Sequence, residues 1–588
     1  MISFATLSTL LEWLMPLLAS AAVLGLGLRI WRTIDEDRPT PMEVYRNGWW
    51  IQHDEKHMVH EGRVLAFRPK EEINDYYWPV ILAFGVVPSY VAAWGFRFGG
   101  TTLKALRRPY FFLNTLSILF YGLAISLAAP WWIALPFLII FLINLETLTV
   151  WRYALPESFL YLYCAVTTFL LVADPQLTWT LLPIITGAAG LLAAVKISFP
   201  VIAGLYPAGI FLSQSLHMTA IEWGWGLLCA GSLLCVWALT EGGQFLVYRA
   251  LGVPWKYRWI NLSRSLAQHT NDISASRTEI RPHEPARWNV FVDFPYFSLK
   301  LTYPFLPHIQ IIGFFFLLVV FLGFGAGQAG TSGQAVSLAA MAQSGGFVLA
   351  NPALWAILFY MLIHQALHWP VLWYSKRGMH LYYPLVVMST LLVGQVMAVV
   401  QTLFDGVIFG LAAVVLVGLP LSGFYFWQRL AVRMARSHRS TAVQDNLTQL
   451  ELWVPDNAII YADCFSARFL WPKHVRILSS DVVTWTQQDV LDWAELHDGS
   501  YVLLSSLAEV QVDQRVWRIA LDLSYDGMAA SEYLTVVLLE RRRPLFTDAP
   551  ACPFKGEYVM LDAYRAARSA GADIESAKAA AAAAEAAR

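Results

Sequence analysis

The chain has 588 residues, of which 57% are hydrophobic and only 14% are charged, whereas a soluble domain has about 25% charged residues. A soluble protein of this length would divide into several domains with charged surfaces, and this chain lacks the charge to cover them. We therefore predict a polytopic α-helical membrane protein. The 41 Lys and Arg against 42 Asp and Glu leave no basic surplus for binding nucleic acid. The five cysteines form no CxxC pair, and no GxxxxGK[ST] motif is present, so zinc ribbons, iron–sulfur clusters, a disulfide framework and nucleotide hydrolysis are unsupported.

Apolar stretches of about 20 residues are long enough to cross a bilayer. The sequence predicts about twelve of them. They lie at 9–30, 78–97, 110–129, 131–150, 157–173, 177–195, 198–214, 222–240, 303–325, 352–374, 382–402 and 405–428. The first has no A-x-A cleavage site and is followed by charged residues, which is typical of an uncleaved signal anchor.

Basic residues in short loops indicate the cytoplasmic side of a membrane protein. The turn after the second predicted span contains four of them, Arg97, Lys104, Arg107 and Arg108. Counting back from this turn places the amino terminus in the cytoplasm and the loop 31–77 outside. Counting forward places the loop 241–301 and the carboxy-terminal tail in the cytoplasm. The sequence thus predicts a multi-pass protein of the bacterial inner (plasma) membrane.

Composition shifts divide the chain into seven parts. They are a first transmembrane helix (1–30), an external amphipathic loop (31–77), a first part of the bundle (78–240), a cytoplasmic loop (241–301), a second part of the bundle (302–428), a small α/β soluble domain (440–545) and a flexible or helical tail (546–588). Within the α/β domain, five β-branched or aromatic runs predict strands, and a capped segment ending at Gly499 predicts a helix. The alanine-rich end of the tail has no apolar face to bury.

An acidic cluster, Asp35, Glu36 and Asp37, follows the first span directly. Carboxylates at this position could bind a divalent cation together with a phosphate, or act as a general base toward an acceptor hydroxyl. The alternative is a solvated cap that ends the span, since surface charges are common.

Two groups of histidines have spacings that a metal would accept. His53, His57 and His60 would lie near one face of a helix, but the charged residues between them favour an exposed amphipathic helix. His364 and His368 lie one turn apart inside the tenth span, where hydrogen bonds between helices are the favoured role. We therefore predict no metal site from the histidines.

Further polar and aromatic residues lie at the ends of spans. Glu146, Arg152 and Glu157 surround the turn between the fourth and fifth spans, where they could line a substrate path or pair with one another. Trp49 and Trp50 could belong to the interfacial aromatic belt. They are also the kind of residue that forms the walls of carbohydrate and polyprenyl sites.

Three features resemble the GT-C superfamily of membrane glycosyltransferases. The first is the acidic cluster after the first span, and the second is a long first loop that contains Gly48-Trp49-Trp50 and returns through Tyr76-Tyr77-Trp78-Pro79. The third is the α/β unit, which opens with Val454-Pro455-Asp456-Asn457-Ala458. The resemblance implies transfer of a sugar from a polyprenyl-phosphate donor in cell-envelope glycan synthesis.

The resemblance also implies roles for individual residues. One of Asp35, Glu36 and Asp37 would be the catalytic base, and the first loop would help to cover the active site. Trp49, Trp50, Glu146, Arg152 and Glu157 are the candidate substrate-binding residues. Members of this superfamily usually carry the α/β unit outside the cell, whereas the span count places it in the cytoplasm.

Two other classes of protein fit the same sequence. One is a non-catalytic scaffold or channel subunit of an envelope or secretion assembly, with the loop 241–301 and the tail as docking surfaces for other membrane-complex subunits. The other is a transporter of a lipid or polysaccharide precursor. Only the enzyme requires the acidic cluster on the side of the lipid-linked donor and acceptor.

Overall fold

The structure is a computed structural model. It describes residues 4–35, 53–67, 85–100, 102–215, 222–253, 255, 258, 351–368, 375–403, 406–407, 410–418, 421–422, 425, 449–450, 452–455, 458–462, 474–477, 486–504, 507, 510–523, 537–542 and 557–587. The chain forms two compact units. The first comprises Met1–Arg38, Arg107–Gly243 and Leu266–Met434, and the second comprises Pro39–Leu106, Gln244–Ser265 and Ala435–Arg588.

Helices dominate the described residues, and a small sheet follows near the carboxy terminus, as the fold class predicted. The helices are α1 (Phe4–Asp35), α2 (His53–Phe67), α3 (Val86–Gly99), α4 (Leu103–Ala128), α5 (Trp131–Ile143), α6 (Leu145–Arg152), α7 (Glu157–Ala173), α8 (Pro175–Thr180), α9 (Leu182–Leu191), α10 (Phe199–Ser215), α11 (Trp223–Ala250), α12 (Pro352–His368), α13 (Ser375–Leu403), α14 (Gln487–Leu496), α15 (Glu557–Ser569) and α16 (Ile574–Ala586). The strands are β1 (Ile459–Ala462), β2 (His474–Ile477), β3 (Tyr501–Leu504), β4 (Trp517–Asp522) and β5 (Val537–Arg541).

Among the described residues, three helices are long and apolar enough to cross a membrane: α1 over Ser8–Ile34, α4 and α11. Shorter apolar helices include α5 and α7. The chain is therefore an integral membrane protein, and the predicted number of about twelve spans is not confirmed.

The first two long helices run antiparallel along their whole length. Near the end of α1, the Trp31 ring lies 5.3 Å from the Phe111 ring at the start of α4. Halfway along, a Cβ at Gly122 of α4 would lie 3.6 Å from Val23 of α1. Helix α4 therefore begins where α1 ends. We call this end of the first unit the Asp35 end, and the opposite end the Ser8 end.

This geometry does not fit the predicted span at 78–97. The segment 36–102 begins where α1 ends and finishes where α4 begins, and both points lie at the Asp35 end. A single membrane crossing within this segment would bring the chain to the other side of the membrane from that end. The basic turn that ends at Arg108 consequently cannot lie across the membrane from the loop 31–77 if α1 and α4 both cross. The cytoplasmic amino terminus was counted from that turn, and it stays a prediction.

The remaining helices of the first unit are joined by buried hydroxyl and amide groups. The Thr168 hydroxyl on α7 lies 2.6 Å from the Tyr206 hydroxyl on α10. The Tyr206 ring stacks on Tyr360 of α12 at 4.6 Å, and Asn144 donates to the Tyr382 hydroxyl at 2.5 Å. Such hydrogen bonds between helices are common in membrane proteins, where lipid offers polar groups no alternative partner.

In the second unit, α2 and α3 form a tightly packed pair. The Ser89 hydroxyl donates to Glu61 Oε2 at 2.5 Å, and a Cβ at Gly62 would lie 2.6 Å from Ala92 Cβ. Glu55 and Glu61 are fully buried. The prediction of an exposed amphipathic helix is therefore wrong for the face that carries Glu55 and Glu61, because both side chains are buried. His53, His57 and His60 lie on α2, but their side chains are outside those that the structure describes.

The α/β part contains the five predicted strands in a single sheet of order β2-β1-β3-β5-β4. Strands β2, β1 and β3 are parallel, whereas β5 is antiparallel to both β3 and β4. Helix α14 has Thr486 as its N-cap, with a capping box to Asp489. This cap satisfies backbone groups that the first helical turn leaves without partners.

The alanine-rich tail differs from the expectation. Ala577 and Ala581 of α16 are fully buried in the α/β core beside Leu561 and Tyr564 of α15. Lys578 donates to Asp498 at 2.6 Å and anchors α16 to the turn after α14. Small methyl groups allow close packing of helices, so the alanines form the buried face that we did not predict.

Candidate functional site

The Asp35 end of the first unit contains buried charged residues and the end of α1. Helix α1 ends at Asp35, the first residue of the cluster. Glu36, Asp37, Trp49 and Trp50 lie outside the described residues, as do the side chains of Asp35 and Glu146. Their roles therefore stay predictions, while their places in the chain follow from where α1 ends and α6 begins.

Two arginines at the start of α4 face aromatic rings at this end. The Arg108 guanidinium lies 5.4 Å from the centre of the Trp31 ring on α1. The Arg107 guanidinium lies 5.3 Å from the centre of the Tyr153 ring, and its side chain is 1% exposed. Aromatic faces stabilise cations in this geometry. The Tyr153 and Trp31 rings therefore help to stabilise the positive charges of Arg107 and Arg108 at this end.

Arg152 is the last residue of α6 and is fully buried. Its helix is held in place by Asn114 of α4, whose amide nitrogen donates to the carbonyls of Val150, Trp151 and Tyr153 at 3.0–3.1 Å. The Val150 and Trp151 carbonyls are among the last of α6, which have no partner within the helix itself, and Tyr153 follows the helix directly. Asn114 thus fixes the position from which the Arg152 side chain extends.

Trp151 provides a second anchor for the end of α6. Its indole nitrogen donates to the Thr115 hydroxyl at 2.8 Å, and its ring stacks on Phe111 at 6.4 Å. On the other side, a Cβ at Gly27 of α1 would lie 3.3 Å from the Trp151 ring. Only a residue as small as glycine lets α1 approach this closely without displacing the indole.

Glu157 begins α7 and is 3% exposed. Its Oε2 atom makes no hydrogen bond within the part of the chain that the structure describes, and neither does the neighbouring Ser158 hydroxyl. The N-terminus of a helix favours negative charge by about 0.3–1 kcal/mol. Tyr110 and Phe159, in edge-to-face contact at 6.0 Å, hold α7 beside α4 at this end.

The arrangement suits an anionic substrate with a hydroxyl or phosphate group. Buried guanidinium groups bind phosphate through charge-assisted hydrogen bonds, which are stronger than neutral ones. A buried carboxylate can accept a hydroxyl proton or orient a sugar. Ionisable groups at membrane depth are energetically unfavourable, so they usually mark a substrate path or a pair.

The sequence singled out Arg152 and Glu157 from their positions at span ends. The structure places both, buried, at the Asp35 end, and their role in substrate binding stays a prediction. Arg107 was used only as a marker of orientation, and Asn114 was missed. An amide inside an otherwise apolar span was the signal that could have found Asn114.

A divalent cation is not part of the described geometry. Within the described ranges, no three His, Cys, Asp or Glu side chains come together as metal ligands. The carboxylates that could hold a cation are those of the acidic cluster, whose side chains lie outside these ranges.

Comparisons with known proteins give structural but not sequence relatives. No protein-family model matches the chain, and no curated protein matches it in sequence. The chain is similar to ArnT from Cupriavidus metallidurans in the apo state, with 12% identity, 88% of this chain and 96% of that chain covered, and a TM-score of 0.48. The same protein bound to undecaprenyl phosphate gives 12% identity, 88% and 97% coverage, and a TM-score of 0.46.

A third similar structure is the Archaeoglobus fulgidus oligosaccharyltransferase in complex with Zn and sulfate. It is 13% identical, with 82% of this chain and 67% of that chain covered and a TM-score of 0.44. All three likenesses are weak, with identities of 12–13% and TM-scores of 0.44–0.48, so the resemblance to the GT-C superfamily stays a prediction from the sequence motifs.

Proposed function

We propose that this chain is a membrane glycosyltransferase that takes a sugar from a polyprenyl-phosphate donor in cell-envelope glycan synthesis. The observation that carries the proposal is the group of buried charges at the Asp35 end. Arg107, Arg152 and Glu157 are each at most 3% exposed there, and α1 ends at this end at Asp35, the first residue of the acidic cluster.

In the proposed reaction, one carboxylate of Asp35, Glu36 and Asp37 takes the proton of an acceptor hydroxyl. The hydroxyl oxygen forms a bond to the anomeric carbon of the sugar as the bond from that carbon to the phosphate oxygen breaks. The polyprenyl phosphate leaves with the bonding electrons. Arg152 and Arg107 stabilise the negative charge of the leaving phosphate, as preorganised cations do in other group transfers.

The other predicted residues would bind the substrates. Trp49 and Trp50 would contact the sugar, and Glu146 and Glu157 would accept hydrogen bonds from its hydroxyl groups. The apolar helices offer lipid-facing surface for the polyprenyl chain. A divalent cation bound by the acidic cluster would be compatible with this proposal, but no step above requires one.

The topology that we propose has eleven crossings rather than about twelve. It removes the span at 78–97 and extends the first loop to residue 102, while the other predicted boundaries stay unchanged. The α/β domain then lies on the same side as the Asp35 end. We retain the predicted cytoplasmic amino terminus in the bacterial inner membrane. With eleven crossings, the loop 241–301, which the twelve-span count placed in the cytoplasm, then lies outside.

The test is a transfer assay with the purified protein in lipid nanodiscs and a panel of polyprenyl-phosphate donors with labelled sugars. The combined variant Asp35→Asn, Glu36→Gln, Asp37→Asn should insert normally and lose transfer by about 10²- to 10⁴-fold, the usual contribution of a general base. Glu12→Gln is the matched control, since it changes an exposed carboxylate on the same helix near the Ser8 end. Undiminished transfer by the combined variant would overturn the proposal and favour the scaffold or transporter alternatives.

A further inference from the structure

Helix α4 carries a buried cation and a buried amide, Arg107 and Asn114, that both contact the segment 150–153. The two residues are seven positions apart, which is two helical turns, so they lie on the same side of α4. At 1.5 Å per residue they are about 10 Å apart along the helix axis. Their side chains are 1% and 2% exposed. One face of α4 therefore bears on the end of α6 at two points.

The Asn114 amide holds the chain on both sides of Arg152. Its nitrogen donates to the carbonyls of Val150 and Trp151, which precede Arg152, and to that of Tyr153, which follows it. The Val150 carbonyl also accepts from the Tyr153 backbone N–H at 3.2 Å, which closes the turn at the end of α6. One side chain of α4 thus fixes the backbone before and after Arg152.

Thr115, the next residue of α4, fixes the rotation of α6 about its own axis. Its hydroxyl accepts the hydrogen bond from the Trp151 indole at 2.8 Å, and the Trp151 ring stacks on Phe111, one turn earlier on α4. Since α6 is held through both its backbone and the Trp151 side chain, it cannot rotate without breaking one of these contacts. The direction in which Arg152 leaves α6 is therefore determined by α4.

Tyr153 connects Asn114 to the second buried arginine. The Tyr153 carbonyl accepts from Asn114, and the Tyr153 ring faces the Arg107 guanidinium at 5.3 Å. Tyr153 is itself only 4% exposed, so its ring has little freedom to move. One amide therefore acts on Arg152 through the backbone and on Arg107 through the Tyr153 ring.

We propose that Asn114 is a positioning residue that sets the separation of Arg107 and Arg152 for the phosphate of the donor. This inference rests on the proposed function, in which both arginines stabilise the leaving phosphate. Preorganised cations accelerate a reaction when they lie where charge develops in the transition state. A displacement of about 1 Å can lower the rate by about 10²-fold. Asn114 does not contact the substrate in this proposal and acts only through the two arginines.

The test is a set of double-mutant cycles, measured as kcat and KM for transfer by the full-length protein in lipid nanodiscs. Asn114→Leu removes the three hydrogen bonds with little change in side-chain size. It should lower kcat by about 10- to 100-fold, with a smaller effect on KM, because the lost stabilisation belongs to the transition state. The same change is then made in proteins that carry Arg152→Gln or Arg107→Gln.

The loss of kcat from Asn114→Leu should be at least about 5-fold smaller in the Arg152→Gln background than in the wild type, since residues that act through one another are not additive. A smaller loss is also expected in the Arg107→Gln background. Equal losses in all three backgrounds would overturn the inference, because an amide that only stabilises the fold lowers activity whether or not the arginines are present.

Thr168→Val is the matched control. It removes a buried hydroxyl that lies 2.6 Å from the Tyr206 hydroxyl in the same unit, so it should lower Tm and leave kcat unchanged. If Asn114→Leu does not fold, Asn114→Ser takes its place in the same cycles, where one remaining hydroxyl donor should give a smaller loss with the same dependence on Arg152.

The outcomes separate this inference from the proposed function. A folded wild-type protein that transfers no sugar from any donor would overturn the proposed function and this inference with it. Transfer by the wild type, together with additive losses in the cycles, would overturn the role of Asn114 alone.

Discussion

Glu495 in the α/β unit and Glu157 at the Asp35 end are both buried carboxylates, but they differ in their hydrogen-bond partners. In the α/β unit, buried Glu495 accepts hydrogen bonds from the Trp517 indole at 2.8 Å and from the Tyr564 hydroxyl at 3.0 Å. Burial raises the pKa of this carboxyl, although both hydrogen bonds lower it in part. Arg565 likewise binds both Asp489 and Asp492 of α14. These charges hold α15 and β4 to α14.

At the Asp35 end, by contrast, the Glu157 Oε2 atom has no hydrogen-bond donor within the described residues. A buried polar atom without a partner is destabilising by roughly 1–3 kcal/mol. Glu495 is therefore held by neighbours within its own unit, whereas the Glu157 Oε2 atom is the one for which we propose a substrate partner.

The largest expected effect comes from adding an unpaired charge to the α/β core. Ala581→Asp would place a carboxylate at a fully buried position of α16, within a core of apolar side chains. Unpaired buried charges are destabilising by about 3–5 kcal/mol. We expect α16 to detach, which limited proteolysis of the full-length protein would detect. Ala579→Asp, at an exposed position of the same helix, should leave the proteolysis pattern unchanged, and equal effects of the two changes would contradict the packing.

Glu157→Gln should reduce transfer without reducing stability. The variant removes a negative charge that makes no hydrogen bond through Oε2 in the described structure, so the fold loses little. A hydrogen bond from substrate to a charged group contributes about 1.5–3 kcal/mol, which corresponds to a roughly 10- to 100-fold loss of kcat/KM.

Glu495→Gln is the counterpart in the α/β unit, where we expect lower stability and no direct effect on transfer. Thermal unfolding and the transfer assay, measured on both variants, separate the two roles. A lower Tm for Glu157→Gln with unchanged transfer would contradict a role in binding.

His497 should make the α/β unit sensitive to acid. The pKa of its imidazole is lowered from 6.5 to about 4. Burial is the main cause and nearby Lys578 adds to it, while Asp498 opposes the shift. The unfolded chain therefore binds a proton between these values and the folded chain does not. Stability is lost as the pH falls from 6.5 to about 4.

We expect His497→Gln to remove this part of the acid sensitivity. The measurement is the proteolytic susceptibility of residues 486–586 in the full-length protein at pH 7 and pH 4.5. An unchanged ratio between the two pH values in the variant would show that His497 does not set the dependence.

The smallest effect should come from the exposed ion pair between β4 and β5. Arg518 donates to Glu540 at 2.7 Å, but the Arg518 side chain is 55% exposed. Exposed pairs contribute about 0–1 kcal/mol, and salt screens them. Arg518→Gln should therefore change the free energy of unfolding by less than about 1 kcal/mol, and a larger loss would mean that the pair has a structural role like that of Arg565.

The sequence predicted the elements of the α/β unit well because each strand is a short β-branched run. It failed for α16, because hydropathy gives little weight to alanine and does not show that Ala577 and Ala581 would be buried. The span predicted at 78–97 includes most of α3, which packs on α2 through one face and carries aromatic residues on the other, and a hydropathy window averages both faces.

At the site, Arg152 and Glu157 were candidates because ionisable residues at membrane depth are rare, and their role stays a prediction. The role of Asn114 could not be predicted. Its importance depends on three carbonyls that lie 36 to 39 residues further along the chain, and only the fold brings them together. Arg107 was read as a loop charge, and its burial against Tyr153 is likewise a property of the packing.

We propose that the acidic cluster and the buried arginines lie on the same side of the membrane. The most direct test is to measure on which side three positions lie. Single cysteines at Asn47, Thr102 and Gln176 would be labelled in oriented vesicles with a membrane-impermeant maleimide, in a background without native cysteines. Gln176 follows α7, which begins at the Asp35 end, and it marks the opposite face. We expect Asn47 and Thr102 to be labelled from the same side and Gln176 from the other. Labelling of Asn47 and Thr102 from opposite sides would mean that residues 78–97 cross the membrane and would contradict the proposed site.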